Sequence, residues 1–172
     1  MIETGKKVMV VETKNGKEEL EFVCEKVENE TDDFYYQLGL FKEDDFVSEM
    51  IAYVSKKSLE GNFYYEDCKE DLDTDKVVIL TELFTLRNPS ARINYRNQGY
   101  GSALFKFALD LFKDYTVLTT QLEFIAENMR VGGMDTDTAF EVQNHLAEKF
   151  GFEETTEIYK SYDERRTYIL KR

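Results

Sequence analysis

The sequence predicts an α+β domain, on three observations. Strand-like runs fill the first half, the apolar pattern turns helical after residue 100, and two strand-like runs close the chain without any internal repeat. The 172 residues are 42% apolar with 13 Phe and 11 Tyr, enough to fill one core, so residues 1–172 are expected to form a single domain. Nine Gly, one Pro and the lack of uncharged low-complexity stretches argue against long flexible tethers.

The elements follow in order. Val8 to Glu12 favours a strand, Asn15-Gly16 is the dipeptide of a tight type I′ turn, and Glu19 to Val27 alternates charge with Leu20, Phe22 and Cys24, so a hairpin is predicted. Phe34 to Phe41 and Glu49 to Ser55 are further strands around the charged turn Lys42-Glu43-Asp44-Asp45, although Val47, Ile51 and Val54 also fit a helix face. Glu66 to Asp75 reads as an acidic connection. Val77 to Leu86 is the most apolar run and belongs mid-sheet, covered on both faces. Ser102 to Lys113 confines its charges to Lys106, Asp110 and Lys113, one narrow stripe on a mostly buried helix. Leu118, Thr120, Leu122 and Phe124 alternate as a half-buried strand. After a loop with Gly132-Gly133, Thr138 and Glu141 form a capping box for a second helix that Gly151 stops. Glu154 to Ser161 and Arg166 to Leu170 are the closing strands, turning through Tyr162-Asp163-Glu164.

Charge excludes some function classes. With 35 Asp and Glu against 22 Lys and Arg, the formal charge of −13 repels phosphate backbones and anionic lipid, so neither nucleic acid nor membrane is an expected partner. No apolar run approaches the length that spans a bilayer, and Met1 to Lys7 has no apolar signal core. Cys24 and Cys68 make neither a metal knuckle nor a disulfide framework, which fits a reduced, cytoplasmic protein. The lone His145 excludes a multi-histidine metal site. Asp71, Asp73, Asp75 and Glu82 occupy positions 1, 3, 5 and 12 of a calcium loop, but Lys76 stands where its glycine is required, so no metal is expected.

The acids are unevenly spread. Leu83 to Leu109, 27 residues, contains none, where the chain-wide frequency predicts about five or six. The stretch carries Arg87, Arg92, Arg96 and Lys106, and in it Arg96-Asn97-Gln98-Gly99-Tyr100-Gly101-Ser102 opens the buried helix. A helix start offers free N–H donors and the positive end of the macrodipole, and glycines let an anion reach the backbone. Leu104 stands where a dinucleotide fingerprint needs its third glycine, and no Gly-Lys-Ser/Thr occurs, so both common nucleotide loops are excluded.

The string Tyr95-Arg96-Asn97-Gln98-Gly99-Tyr100-Gly101-Ser102-Ala103-Leu104 resembles the acyl-CoA pyrophosphate loop, Arg/Gln-x-x-Gly-x-Gly/Ala, of the GNAT acetyltransferases. Downstream, Ala147-Glu148-Lys149-Phe150-Gly151-Phe152 is similar to the family's Tyr-Glu-Lys-Leu-Gly-Phe. The resemblance covers residues 76–172, the cofactor-binding half. Residues 1–75 are a strand-rich, divergent half lacking the two helices the family usually places after its first strand, and the connection from Pro89 to Tyr95 is longer than usual. The resemblance implies a three-layer α/β/α GNAT-type fold whose central mixed, mostly antiparallel sheet splays at the cofactor site. It implies acetyl-CoA or another acyl-CoA as co-substrate, with the main chain of Phe84, Thr85 and Leu86 pairing with the pantetheine arm. Arg96, Asn97, Gln98, Gly99, Tyr100, Gly101, Ser102 and Ala103 would hold the pyrophosphate, with Arg87 and Arg92 as further phosphate candidates.

The implied activity is direct acetyl transfer to a primary amine, which must be neutral to attack, so a base is needed. Glu82 is the candidate base, because period two puts it on the face of Leu80, Phe84 and Leu86, where apolar surroundings raise a carboxyl pKa. A strand-end glutamate reaching solvent is the alternative. The family's acid position, a Tyr, is Ala147 here, and His145 lies about 200° around the helix from it. Thiolate protonation then falls to Asn128, Tyr159 or water, or transfer is slow, or the chain binds acyl-CoA as a regulatory or interaction module without transferring. The acidic surface favours a cationic amine acceptor. A homodimer is among the assemblies the sequence permits.

Overall fold

A computed structural model describes residues 1–88, 92–120, 136–155 and 167–172. The predicted stretches Leu122–Phe124, Gly132-Gly133 and Tyr162–Glu164, and the candidates Asn128 and Tyr159, lie outside them. Four strands open the chain, each antiparallel to the one before: β1 (Gly5–Thr13), β2 (Gly16–Glu28), β3 (Phe34–Lys42) and β4 (Asp45–Tyr53). Short helices α1 (Lys56–Glu60) and α2 (Phe63–Cys68) and a 3-10 turn (Lys69–Asp71) lead to β5 (Val77–Thr85). A small ladder of β6 (Arg87–Asn88) and β7 (Ile93–Asn94) precedes α3 (Tyr100–Leu111) and β8 (Thr116–Thr120). Then come α4 (Thr136–Lys149), β9 (Glu153–Thr155) and β10 (Thr167–Leu170). The result is α+β with one mixed, mostly antiparallel eight-stranded sheet in the order β1-β2-β3-β4-β5-β8-β10-β9. Among the described residues its parallel pair is β5 with β8, from Val77/Thr116 to Leu80/Thr119.

The two hairpin turns exchange the chemistry that the sequence predicts. Thr13 pairs with Gly16, and only Gly16 takes positive φ (93°) in this turn; neither Lys14 nor Asn15 does. That is a type I turn ending in a glycine bulge, and it replaces the expected type I′ turn. The type I′ signature of two positive φ values sits instead on Glu43 (49°) and Asp44 (69°), between the paired Lys42 and Asp45. Register fixes this choice, since only a two-residue loop with that twist joins strands already aligned by their buried faces.

Period two accounts for the strands. Leu20, Phe22 and Cys24 of β2 and Tyr36, Leu38 and Leu40 of β3 are buried. In β4 an extra residue sits opposite the Leu40/Phe41 step, so its buried apolar residues fall at Val47, Met50 and Ala52. The bulge moves Val47 onto the face of Met50 and Ala52, while Ile51, the middle residue of the helix-face alternative, is only partly buried. The stretch expected as an acidic connection holds the end of α2 and the 3-10 turn, elements too short to show a helical period.

β5 is covered on both faces, as its run of apolar residues predicts. Val78, Leu80 and Leu83 pack with Leu104, Phe105 and Phe107 of α3 and Leu146 of α4. Val77 and Ile79 pack on the other face with Leu59, Cys68, Leu118 and Ile169. The exposed stripe of α3 is present, with Lys106 and Asp110 paired at 2.6 Å. Thr138 lies inside α4, two residues past its first, so the predicted cap position is corrected.

The stop at Gly151 is a Schellman motif. Phe152 N–H donates to the Ala147 carbonyl (2.9 Å), Gly151 N–H donates to Glu148 (3.2 Å), and Gly151 has φ 77°. Gly151→Ala is expected to cost about 1 kcal/mol, because a Cβ is penalised in the left-handed region. Urea unfolding measures this, and an unchanged midpoint would remove the cap from the stability of α4. No helix among the described residues is long and apolar enough to cross a membrane.

Candidate functional site

The acid-free segment forms a loop and helix start. Asn97 (φ 59°) and Gly99 (φ 96°) take left-handed backbone conformations, and Gly99 is the N-cap of α3, with no side-chain cap hydrogen bond. The first helical bond runs from Ala103 N–H to the Gly99 carbonyl at 3.0 Å. Tyr100, Gly101 and Ser102 therefore carry the first-turn amides that a helix leaves unsatisfied internally, and that turn has no acidic residue. A Cβ on Gly101 would meet Thr85 Oγ1 at 3.1 Å, so glycine allows the helix start to lie against the end of β5. Arg96 braces the same junction, donating from Nε to the Thr85 carbonyl at 3.1 Å. Burial and the nearby Arg87 lower its pKa.

A cavity of about 630 Å³ opens on this helix start. Its walls are Val11–Lys14 at the end of β1, Leu83–Thr85 of β5, the loop and first turn of α3, and one face of α4. Among the described residues it collects four cations, Lys14, Arg96, Lys106 and Lys149, against two acids, Glu12 and Glu141. A chain of charge −13 thus presents a locally positive cleft beside free helix amides.

Of the residues singled out from sequence, Phe84, Thr85, Arg96, Asn97, Gly99, Tyr100, Gly101, Ser102 and Ala103 line this cavity. Gln98 does not; its carbonyl accepts from Lys14 N–H (2.9 Å) and its side chain bridges Asn15 and the Asn94 carbonyl. Leu86 turns back toward β4. Its N–H donates to the Val47 carbonyl (2.8 Å) and its carbonyl accepts from Tyr95 N–H (3.0 Å), so both of its main-chain groups are engaged within the chain and its expected pairing with a ligand arm is corrected. Arg87 and Arg92 are outside the wall.

The placement of Glu82 by period two is also corrected. Ile51 pairs with Thr81 and Glu49 with Phe84, so Glu82 and Leu83 together face Met50 across a bulge, and Glu82 takes φ 56°. The bulge rephases the strand, sending Leu80 and Leu83, three apart, into one core. Glu82 is half-buried and not part of the cavity wall.

Two contributions were not read from the sequence. On α4, Glu141, His145 and Lys149 line the cavity, while Ala147 is buried in the core (1% exposed). Their i, i+4, i+8 spacing was the available signal. The second is the β1–β2 turn, which clasps the glycine loop. Glu18 accepts from Tyr100 Oη (2.8 and 3.0 Å), Thr13 Oγ1 (2.5 Å) and Lys42 Nζ (2.5 Å). Burial alone would raise the Glu18 pKa, but these hydrogen bonds outweigh it and hold the carboxyl down at about 2. Lys42 is held above its ordinary range by its hydrogen bonds to Glu18 and then to Tyr100. Tyr100, 1% exposed, is thereby fixed at the first position of α3. No local signal marks this clasp, since Asn15 and Gln98 meet across 83 positions.

No family model, curated protein or solved structure matches this chain. What the cavity offers chemically is a set of amide donors and cations at one helix start, next to the apolar side chains of Val11, Leu83, Phe84 and Val142. That combination suits a ligand with an anionic head and a less polar body.

Proposed function

We propose that the cavity binds acetyl-CoA or another acyl-CoA, and that the chain is a GNAT-type N-acetyltransferase acting by direct transfer on a primary amine. The observation that carries this reading is the glycine-capped start of α3, opening on a cationic cleft in an acidic chain. In this reading the sheet and its helices form a three-layer α/β/α fold that opens between β5 and β8. The first-turn amides of Tyr100, Gly101 and Ser102, with Lys14, Arg96 and Lys106 nearby, receive the phosphates, and Gly101 lets that helix start lie against Thr85 at the end of β5. The bound thioester supplies an activated acyl carbon for attack by the neutral amine. The negative charge of the chain outside the cleft favours a cationic acceptor, which meets the cleft once the bound phosphates have offset its cations.

A second reading, an acyl-CoA-binding regulatory module with little or no transfer, is favoured by two observations. Ala147, at the family's acid position, is buried, and Glu82 lies outside the cavity wall. One experiment separates the two. CoA should raise the melting temperature, and acetyl-CoA with a panel of amines, polyamines included, should release free thiol. Stabilisation without thiol release on any amine selects the binding module, and no stabilisation at saturating CoA overturns both.

A further inference from the structure

β1 is an outer strand of the sheet, paired with β2 on one side and with no other strand among the described residues. Such an edge presents a row of main-chain donors and acceptors that templates pairing with another strand. Alternation puts Lys6, Val8, Val10 and Glu12 on its outward face, all exposed, while Met9 and Val11 pack against the core. Val8 and Val10, 58% and 66% exposed, are with Met1 the exposed large apolar residues among those described, and they stand two apart on one face of this strand. Within the sheet Val8 stands opposite Glu21 and Val10 opposite Glu19. Their own neighbour strand therefore gives them no apolar cover, and the open side is the free edge. The strand carries two lysines and one glutamate, so it lacks the negative excess that would repel a second copy of this chain.

We propose that β1 is a homodimer interface, with two copies pairing antiparallel along Gly5–Thr13 about a two-fold axis at Met9 and joining their sheets. This register sets Val8 of one copy opposite Val10 of the other, twice, and closes both ends with Lys6 opposite Glu12 of the second copy. A two-residue shift would put Lys6 opposite Val10 or Val8 opposite Glu12, keeping one Val–Val pair in place of two and no Lys–Glu pair. A one-residue slip would set outward residues against core-facing ones. Lys6 already pairs with Glu21 of its own chain at 3.1 Å, but that pair is exposed and contributes little, leaving Lys6 able to serve the second copy. A single pair of edges buries a small interface, so the dimer is concentration-dependent.

Sedimentation equilibrium on the whole chain tests this. The mass should rise from 20.2 kDa toward twice that value with concentration. Lys6→Glu sets like charges at both ends of the ladder, as does Glu12→Lys, so each variant alone should associate about fivefold more weakly or worse. Mixing the two variants restores both opposite-charge pairs, and the mixture should recover the dimer. Val8→Cys protein mixed with Val10→Cys protein should cross-link through an interchain disulfide, because directly opposed residues lie within disulfide reach. The native Cys24 and Cys68 are buried. A wild-type chain that stays monomeric at all concentrations, or a charge-variant mixture no more associated than its components, overturns the proposal.

Discussion

If the cavity binds an acyl-CoA as proposed, Gly99→Val is expected to abolish the CoA-dependent rise in melting temperature while leaving a cooperatively folding chain, the largest functional effect expected from one substitution. Gly99 has φ 96°, which a β-branched residue adopts only with strain of about 1–2 kcal/mol, and a Cβ there would face Thr13 Cα at 3.7 Å. The chain relieves the strain by moving the loop. That rotates the first-turn amides of α3 away from the cleft and disturbs the clasp of the β1–β2 turn on the loop. Differential scanning fluorimetry with and without CoA checks this. A variant shifted by CoA as much as the wild type would mean that the phosphates bind elsewhere.

Glu18→Ala is expected to give the largest loss of stability, about 2–3 kcal/mol in urea unfolding. The carboxylate is the shared acceptor for Tyr100, Thr13 and Lys42, and its removal leaves the buried Tyr100 hydroxyl without its acceptor and Lys42 with only its 3.3 Å hydrogen bond to that hydroxyl. Because the clasp also positions the start of α3, CoA stabilisation should weaken in the same variant. The pH dependence has a definite sign. The folded-state pKa of Glu18 is depressed from 4.5 to about 2, so its contribution is fully present above about pH 4.5 and is lost as pH falls toward 2. After discounting for solvent screening, that contribution is about 1–2 kcal/mol. Wild type should therefore lose more stability than Glu18→Ala between pH 5 and 2, and parallel acid profiles would exclude the network as its source.

Much of the strand order was legible because local pattern carried it. Leu20, Phe22 and Cys24 alternate into the core, and the apolar run of β5 is covered on both faces. The turns were less legible. Asn15-Gly16 has the composition of a type I′ turn, yet register gives that geometry to Glu43-Asp44, where the sequence marks a charged turn but has neither glycine nor asparagine. Bulges were invisible to period counting. The one in β4 moves Val47 onto the face of Met50 and Ala52, and the one at Glu82 changes which side chains β5 sends to each core.

The amino-acid sequence by itself determined the loop from Arg96 to Ala103, the helix it opens and the glycine stop at Gly151. In each, the backbone conformation depends on residue types within a few positions: glycine at positive φ, absent acids, a final apolar contact. Tertiary structure alone decided what surrounds that loop. The clasp of Glu18, Lys42 and Tyr100, the turning of Leu86 toward Val47, and the choice of which face of α4 meets the cavity all arise from contacts between distant segments. Such contacts depend on strand register and helix rotation, which a one-residue bulge resets and which no local pattern encodes.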